Sequence, residues 1–120
     1  MGFIDASVRA LSVLSGPTTS FSSIVDLGAS TTVSARVEVS TVSADTLLRV
    51  DAQHSIDRIT WADLSGLSFA HNGPATETKR ATENAFRYCR FKYSLFGADA
   101  IVTFGVRLFV VDRYRPVELS

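Results

Sequence analysis

The chain has 120 residues, the length of one domain, and 46% of them are hydrophobic, enough to build a core without disulfides or metal. Twelve basic residues balance twelve acidic ones, so the chain lacks the basic excess that drives nucleic-acid binding, and weak self-repulsion is compatible with tight assembly. The single Cys89 excludes an intramolecular disulfide, and no apolar run approaches the roughly 18–20 residues that span a bilayer.

Met1-Gly2-Phe3-Ile4-Asp5 lacks the basic start and apolar core of a signal peptide, so the chain is expected to be made in a cytoplasm and used without membrane insertion. Residues 3–14 hold Phe3, Ile4, Val8, Leu11, Val13 and Leu14, which fit neither strand nor helix period cleanly; short strands or a helical turn both remain open. Ser15-Gly16-Pro17 is a stop. Phe21 to Leu27 reads as a strand closed by Gly28.

Thr32 to Val42 carries the cleanest alternation. Val33, Ala35, Val37, Val39 and Thr41 lie on one face, with Ser34, Arg36, Glu38, Ser40 and Val42 on the other. That period of two predicts a half-buried antiparallel strand. After the turn Ser43-Ala44-Asp45-Thr46, the residues Leu48, Val50, Ala52 and His54 alternate in the same way. Two such strands with a short polar link predict a hairpin.

This second strand runs into the polar turn Ser55-Ile56-Asp57-Arg58-Ile59-Thr60, which delivers Trp61, the only tryptophan. Residues 71–85 are polar and predict a long loop, with at most a weak strand over 76–81. Phe86 to Leu95 is a third strong strand, with Cys89, Phe91, Tyr93 and Leu95 on one face. A turn over 96–99 leads to Val102, Phe104, Val106, Leu108 and Val110, again alternating, which predicts a second long hairpin.

Seven or eight short strands without a convincing helix predict an all-β fold, an antiparallel β-sandwich or jelly roll. The expected organisation is a single domain over 1–120, with 1–19 and the polar 111–120 as extended arms. The last hairpin is also apolar on its second face, at Tyr88, Ile101 and Phe109. Either a central strand is covered on both sides, or these three residues mark an interface with another subunit.

The sequence offers little chemistry. His54, His71 and Cys89 are scattered singly, whereas a zinc site needs three or four ligands at short spacing. His54 is expected to be a hydrogen-bonded structural histidine and Cys89 a buried inert thiol. Asp57 and Asp63 flank the tryptophan turn without the spacing of a calcium loop, and Asp57 is expected to cap the turn. No phosphate loop, nucleophile elbow or zinc helix is present. No catalytic residue, metal or cofactor is therefore expected, nor an enzyme. Trp61 either plugs the end of the sandwich, the favoured reading, or stacks on a sugar ring. Arg87, Tyr88, Arg90, Lys92 and Tyr93 mix basic and aromatic residues as single-strand binders do, but a solvated or inter-subunit strand face fits the zero net charge better.

The segment Leu48-Arg49-Val50-Asp51-Ala52-Gln53, followed by Ser55 to Leu64, resembles the "v-x-l-Q-x-S-x-D-G-x-x-W-x-d-l" stretch of small β-sandwich proteins from tailed bacteriophage virions. Phe86-Arg87-Tyr88-Cys89-Arg90-Phe91 and Ala100-Ile101-Val102-Thr103-Phe104-Gly105-Val106 are similar to their closing "y-v-R-v … a-x-v-T-F-x-v" strands. The resemblance covers roughly residues 20–110 and lies in fold-forming positions; Arg58 stands where the pattern has Gly. It implies a virion structural protein, of the head decoration, cement or minor capsid type, located in the virion and assembled in the host cytoplasm. The implied partners are other copies of the chain, a trimer among the options, and virion proteins such as the major capsid protein, with neither nucleic acid nor membrane. The alternative is a carbohydrate-binding module, or a tail or connector component that contacts a host glycan or a neighbouring tail protein.

Overall fold

The computed structural model of the protein describes residues 3–111. Nine strands run through them: β1 Phe3–Ser15, β2 Thr18–Phe21, β3 Val25–Asp26, β4 Val33–Val42, β5 Leu47–Ser55, β6 Ala62–His71, β7 Ala75–Arg80, β8 Tyr88–Phe96 and β9 Ile101–Val111. One antiparallel sheet has the order β1-β9-β4-β7, and the other β2-β8-β5-β6 with β3 also paired to β8. The pairs are nested: β1 with β9, β2 and β3 with β8, β4 with β7, β5 with β6. A long hairpin rolled up in this way is a jelly roll, so the all-β sandwich that alternation predicts is the fold.

The core lies between the two sheets. Phe69, Phe91 and Phe104 are its largest fully buried side chains, packed with Leu48, Leu95 and Leu108. Each such side chain contributes about 1.5–3 kcal/mol by leaving water. The inward residues of β4, β5, β8 and β9 are those the period of two assigns, with one exception. A register shift between Val39 and Thr41 turns Thr41 out to solvent and brings Val42 against the core.

Neither predicted hairpin forms. β4 and β5 belong to different sheets, as do β8 and β9. Their links, residues 43–46 and 97–100, carry the chain across the core, and they lock together at one end of the sandwich. Ser43 N–H donates to the Ile101 carbonyl at 2.9 Å, and Ile101 N–H donates to Ser43 Oγ at 2.9 Å. Gly97 sits at φ 131°, and a Cβ there would stand 2.7 Å from the Asp45 carbonyl oxygen. Alternation reveals which side of a strand faces inward. It does not reveal whether the next strand lies beside it or opposite it.

The predicted loop over 71–85 contains β7, an edge strand paired with β4 from Ser34↔Arg80 to Val39↔Ala75. It needs no apolar residues because its half-buried side chains bridge the sheets at their margin. Glu77 pairs with His71 at 2.9 Å, and Lys79 Nζ donates to the Ser68 carbonyl at 2.7 Å. Inward charges of this kind also protect a sheet edge from stray pairing. The Phe21–Leu27 strand is split in two by Ser22, whose Oγ accepts the Phe91 N–H at 2.9 Å.

β1 explains why residues 3–14 show no clean period. Its pairing with β9 slips between Ser7 and Arg9 and again between Arg9 and Ser12. Each slip resets which side chains face the core. The stretch expected as an arm over 1–19 thus contains a sheet strand. The other expected arm, 111–120, lies outside the described residues beyond Val111.

Candidate functional site

The turn between β5 and β6 is built by two side chains. Asp57 Oδ1 accepts the N–H groups of Ile59 at 2.8 Å and Thr60 at 2.9 Å, and Ser55 Oγ donates to it at 3.0 Å. Ser55 Oγ in turn accepts the N–H groups of Asp57 and Arg58. The N–H groups of Thr60 and Ile59, with Ser55, hold the Asp57 carboxyl below its ordinary value. Asp57 is therefore a turn cap, as expected, and its Oδ1 is spent within the loop. Arg58 adopts φ 66°, the conformation a glycine would take at this place. The rigid turn presents Ile56 and Ile59 at 71% and 82% exposure. Beside it lies a groove of about 170 Å³ bounded by His54, Ile56, Asp57, Thr60, Ala62 and Phe86.

His54 is buried, stacks on the Phe86 ring with centres 4.3 Å apart, and accepts the Phe86 N–H at Nδ1 over 3.2 Å. It joins β5 to the segment before β8 as a structural histidine. Cys89 is fully buried, and burial pushes its thiol up to about 12, far from a nucleophile's range. Among the described residues no three His, Cys, Asp or Glu side chains are grouped as metal ligands.

Trp61 is half-buried and belongs to the outer face of the five-stranded sheet. The Arg90 guanidinium carbon lies 4.2 Å from the Trp61 ring centre and 4.2 Å from that of Phe21. Arg90 Nε donates to Gln53 Oε1 at 2.9 Å, and Gln53 Nε2 donates to Asp63 Oδ1 at 3.4 Å. The expectation that Trp61 plugs the end of the core is thereby corrected. β5 and β6 are lateral neighbours, so their turn stays on one sheet and delivers Trp61 to its outside, not across the gap between sheets.

The mixed basic and aromatic run around β8 is likewise divided by the strand. Tyr93 faces the core, and burial pushes its hydroxyl up to about 12. Tyr88 faces out, flanked by the guanidinium groups of Arg58 at 5.0 Å and Arg87 at 5.2 Å. Arg87 grips Asp26 through two hydrogen bonds of 2.8 and 2.9 Å. That grip, with the Gly28 N–H, holds the Asp26 carboxyl down to about 2.

Tyr88, Ile101 and Phe109 do not share a face. Tyr88 lies on the five-stranded sheet, while Ile101 and Phe109 are at opposite ends of β9 on the four-stranded one, where Phe109 faces the Arg36 guanidinium at 5.7 Å. This corrects the single interface that a β8–β9 hairpin would create. The outward apolar residues beside β9 come from β1 instead: Val13, opposite Thr103, is 61% exposed, and Leu11, against Gly105, is 52% exposed, while Ile101 at the end of the strand is 50% exposed. Sequence reasoning missed Leu11 and Val13 because the slips in β1 hide their facing. Close to Leu11 lies a dent of about 90 Å³ whose walls include Arg9, Arg36, Glu38, Gly105 and Arg107. At the end of the sandwich, Leu47 and Phe96 pair across β5 and β8 beside a groove of about 450 Å³.

No family model matches the sequence, and no curated protein matches it. Solved structures do match. The crystal structure of PirA is 17% identical, with a TM-score of 0.51 over 91% of this chain and 93% of that one. The CBM36-1 domain of a multidomain xylanase from the hindgut metagenome of Trinervitermes trinervoides is 9% identical, with a TM-score of 0.49 over 92% and 98%. A chain of Broad Bean Stain Virus is 13% identical, with a TM-score of 0.41 over 70% and 56%. At 17% identity the likeness to PirA is one of fold: the two-sheet sandwich is common to both nearly from end to end.

Proposed function

We propose that the protein is a structural subunit of a tailed-bacteriophage particle, a capsid decoration or cement protein that acts through contacts with the major capsid protein and with its own copies and catalyses no reaction. The observation that carries this reading is the grouping of large apolar side chains on the outside. Leu11, Val13 and Ile101 cluster on one sheet, Leu47 and Phe96 at one end, and Ile56, Ile59 and Phe86 at the other. Single exposed apolar residues need no explanation, whereas groups of them mark interaction surfaces. The Ile56–Ile59 turn is held rigid by its own hydrogen bonds, which lowers the ordering cost of a contact. The virion-like sequence pattern at residues 48–64 and 86–106 supplies the choice of particle.

The glycan-binding alternative has less support, because the Trp61 ring that would stack on a sugar already lies against the Arg90 guanidinium. The test is mass spectrometry of purified virions produced from the genome that encodes the chain. The protein is expected there in many copies per particle. Virions of normal composition that lack it would overturn the reading.

A further inference from the structure

We propose that the outer face of the four-stranded sheet, at the patch formed by Arg36, Arg80 and Arg107, binds an acidic segment of a partner protein through that segment's carboxylates. The inference rests on the particle reading above and assigns the chemistry of one contact surface. β4 and β9 are the central strands of this sheet, and their register sets Arg36 directly opposite Arg107. Like charges directly opposite each other weaken a sheet, and a bound anion relieves that. On the other side of β4, Arg80 of β7 stands opposite Ser34, one diagonal step from Arg36. Diagonal neighbours of this kind lie about 7–8 Å apart, within reach of long side chains. Three strands thus bring three arginines, distant in sequence, onto one patch.

The patch is not neutralised from within. Among the described residues neither Arg36 nor Arg80 forms an ion pair, and Glu38, the one acidic side chain described on this face, forms none either. Arg107 has an interaction of its own, so Arg36 and Arg80 are the groups left for a partner carboxylate. Arg36 is half-buried, with its guanidinium carbon 5.7 Å from the Phe109 ring centre, and has lost part of its freedom before any partner arrives. An arginine fork matches a carboxylate with two parallel N–H···O bonds. The balancing acid of this neutral chain lies elsewhere: Asp51 and Asp63 on the other sheet, Asp45 and Asp99 in the turns at one end. A long polyanion would meet repulsion beyond the patch, whereas a short acidic segment would not.

The test titrates a decaglutamate peptide, and separately a single-stranded decanucleotide, into the isotope-labelled full chain at low salt. Backbone amide shifts report the binding, and circular dichroism confirms that each variant is folded. Decaglutamate is expected to shift the amides of Arg36, Thr78, Gly105 and Arg107, and its binding to fade as salt rises. Arg36→Gln and Arg80→Gln are each expected to weaken binding roughly 5- to 10-fold. Glu38→Gln is expected to strengthen it, because it removes the one repelling carboxylate; a merely structural role for these side chains would not give that opposite sign. Arg49→Gln, on the other sheet, is expected to leave it unchanged. No shifts on this face, or an affinity indifferent to both arginine variants, overturns the proposal. So does a decanucleotide that binds here more tightly than decaglutamate, which makes the partner a nucleic acid. Virions that take up the double variant Arg36→Glu, Arg80→Glu in normal copy number overturn it too and leave the particle reading standing. Arginine-dependent decaglutamate binding by a chain missing from virions supports the surface and removes the particle reading alone.

Discussion

The guanidinium of Arg9 lies 4.3 Å from the ring centre of Phe104, and its Nε donates to the Phe104 carbonyl oxygen at 3.3 Å. Its Nη2 donates to the carbonyls of Ser12 and Val13, each at 3.3 Å. One side chain thus pins the slipped part of β1 to β9 and covers the edge of the core. Arg9→Ala is expected to cost about 1–2 kcal/mol of stability, from the cation–ring contact and the backbone hydrogen bonds together. Arg9→Lys should not restore it, because a single ammonium cannot span these acceptors and lie flat on the ring. Urea denaturation measures both; an unchanged midpoint for Arg9→Ala would show that β1 is held by its ladder alone.

Arg58 holds φ 66° in the capped turn. A side chain in that region is strained, and glycine is not. Arg58→Gly is expected to stabilise the fold by about 0.5–1 kcal/mol, less whatever the Tyr88 contact contributes. A lower thermal midpoint in the glycine variant would mean that the arginine's ring contact outweighs the strain.

Acid should weaken the fold through Asp26 and Asp57. The Arg87 hydrogen bond and the Gly28 N–H hold Asp26 down to about 2, and the Thr60 and Ile59 N–H groups and Ser55 hold Asp57 below its ordinary value. A carboxyl whose folded value lies below its unfolded one binds fewer protons in the folded state. Its contribution is complete above about 4 and is lost as pH falls through the folded value. Urea midpoints should therefore drop as pH goes from about 4 toward 2, and drop less in Asp26→Asn. A pH-independent wild type in that window would contradict the account.

Cys89 should resist modification. Its thiol is fully buried and raised to about 12, so little thiolate forms near neutral pH and reagent cannot reach it. A thiol-specific chromophore is expected to react completely in denaturant and negligibly with the native protein. Fast native labelling would place β8 in a locally open state.

Within single strands the sequence determined a great deal. Val33, Ala35, Val37 and Val39 face inward because an alternating pattern has one solution on a half-buried sheet, and the same holds for Cys89 to Leu95 and Val102 to Val110. Asp57 as a turn cap was legible because a short carboxylate next to a turn satisfies nearby N–H groups whatever the rest of the chain does. Tertiary structure alone decided which strands lie side by side. Backbone hydrogen-bonding groups are the same in every residue, so β4 carries no local mark that sends it to β7 and β9 instead of β5. The slips in β1, the strand at Ala75–Arg80 and the outward turn of Trp61 depend on partners distant in sequence, and they settle which apolar side chains end up outside. Leu11 and Val13 are exposed for that reason: their facing is set by where β1 slips along β9, a property of the assembled pair and of neither strand by itself.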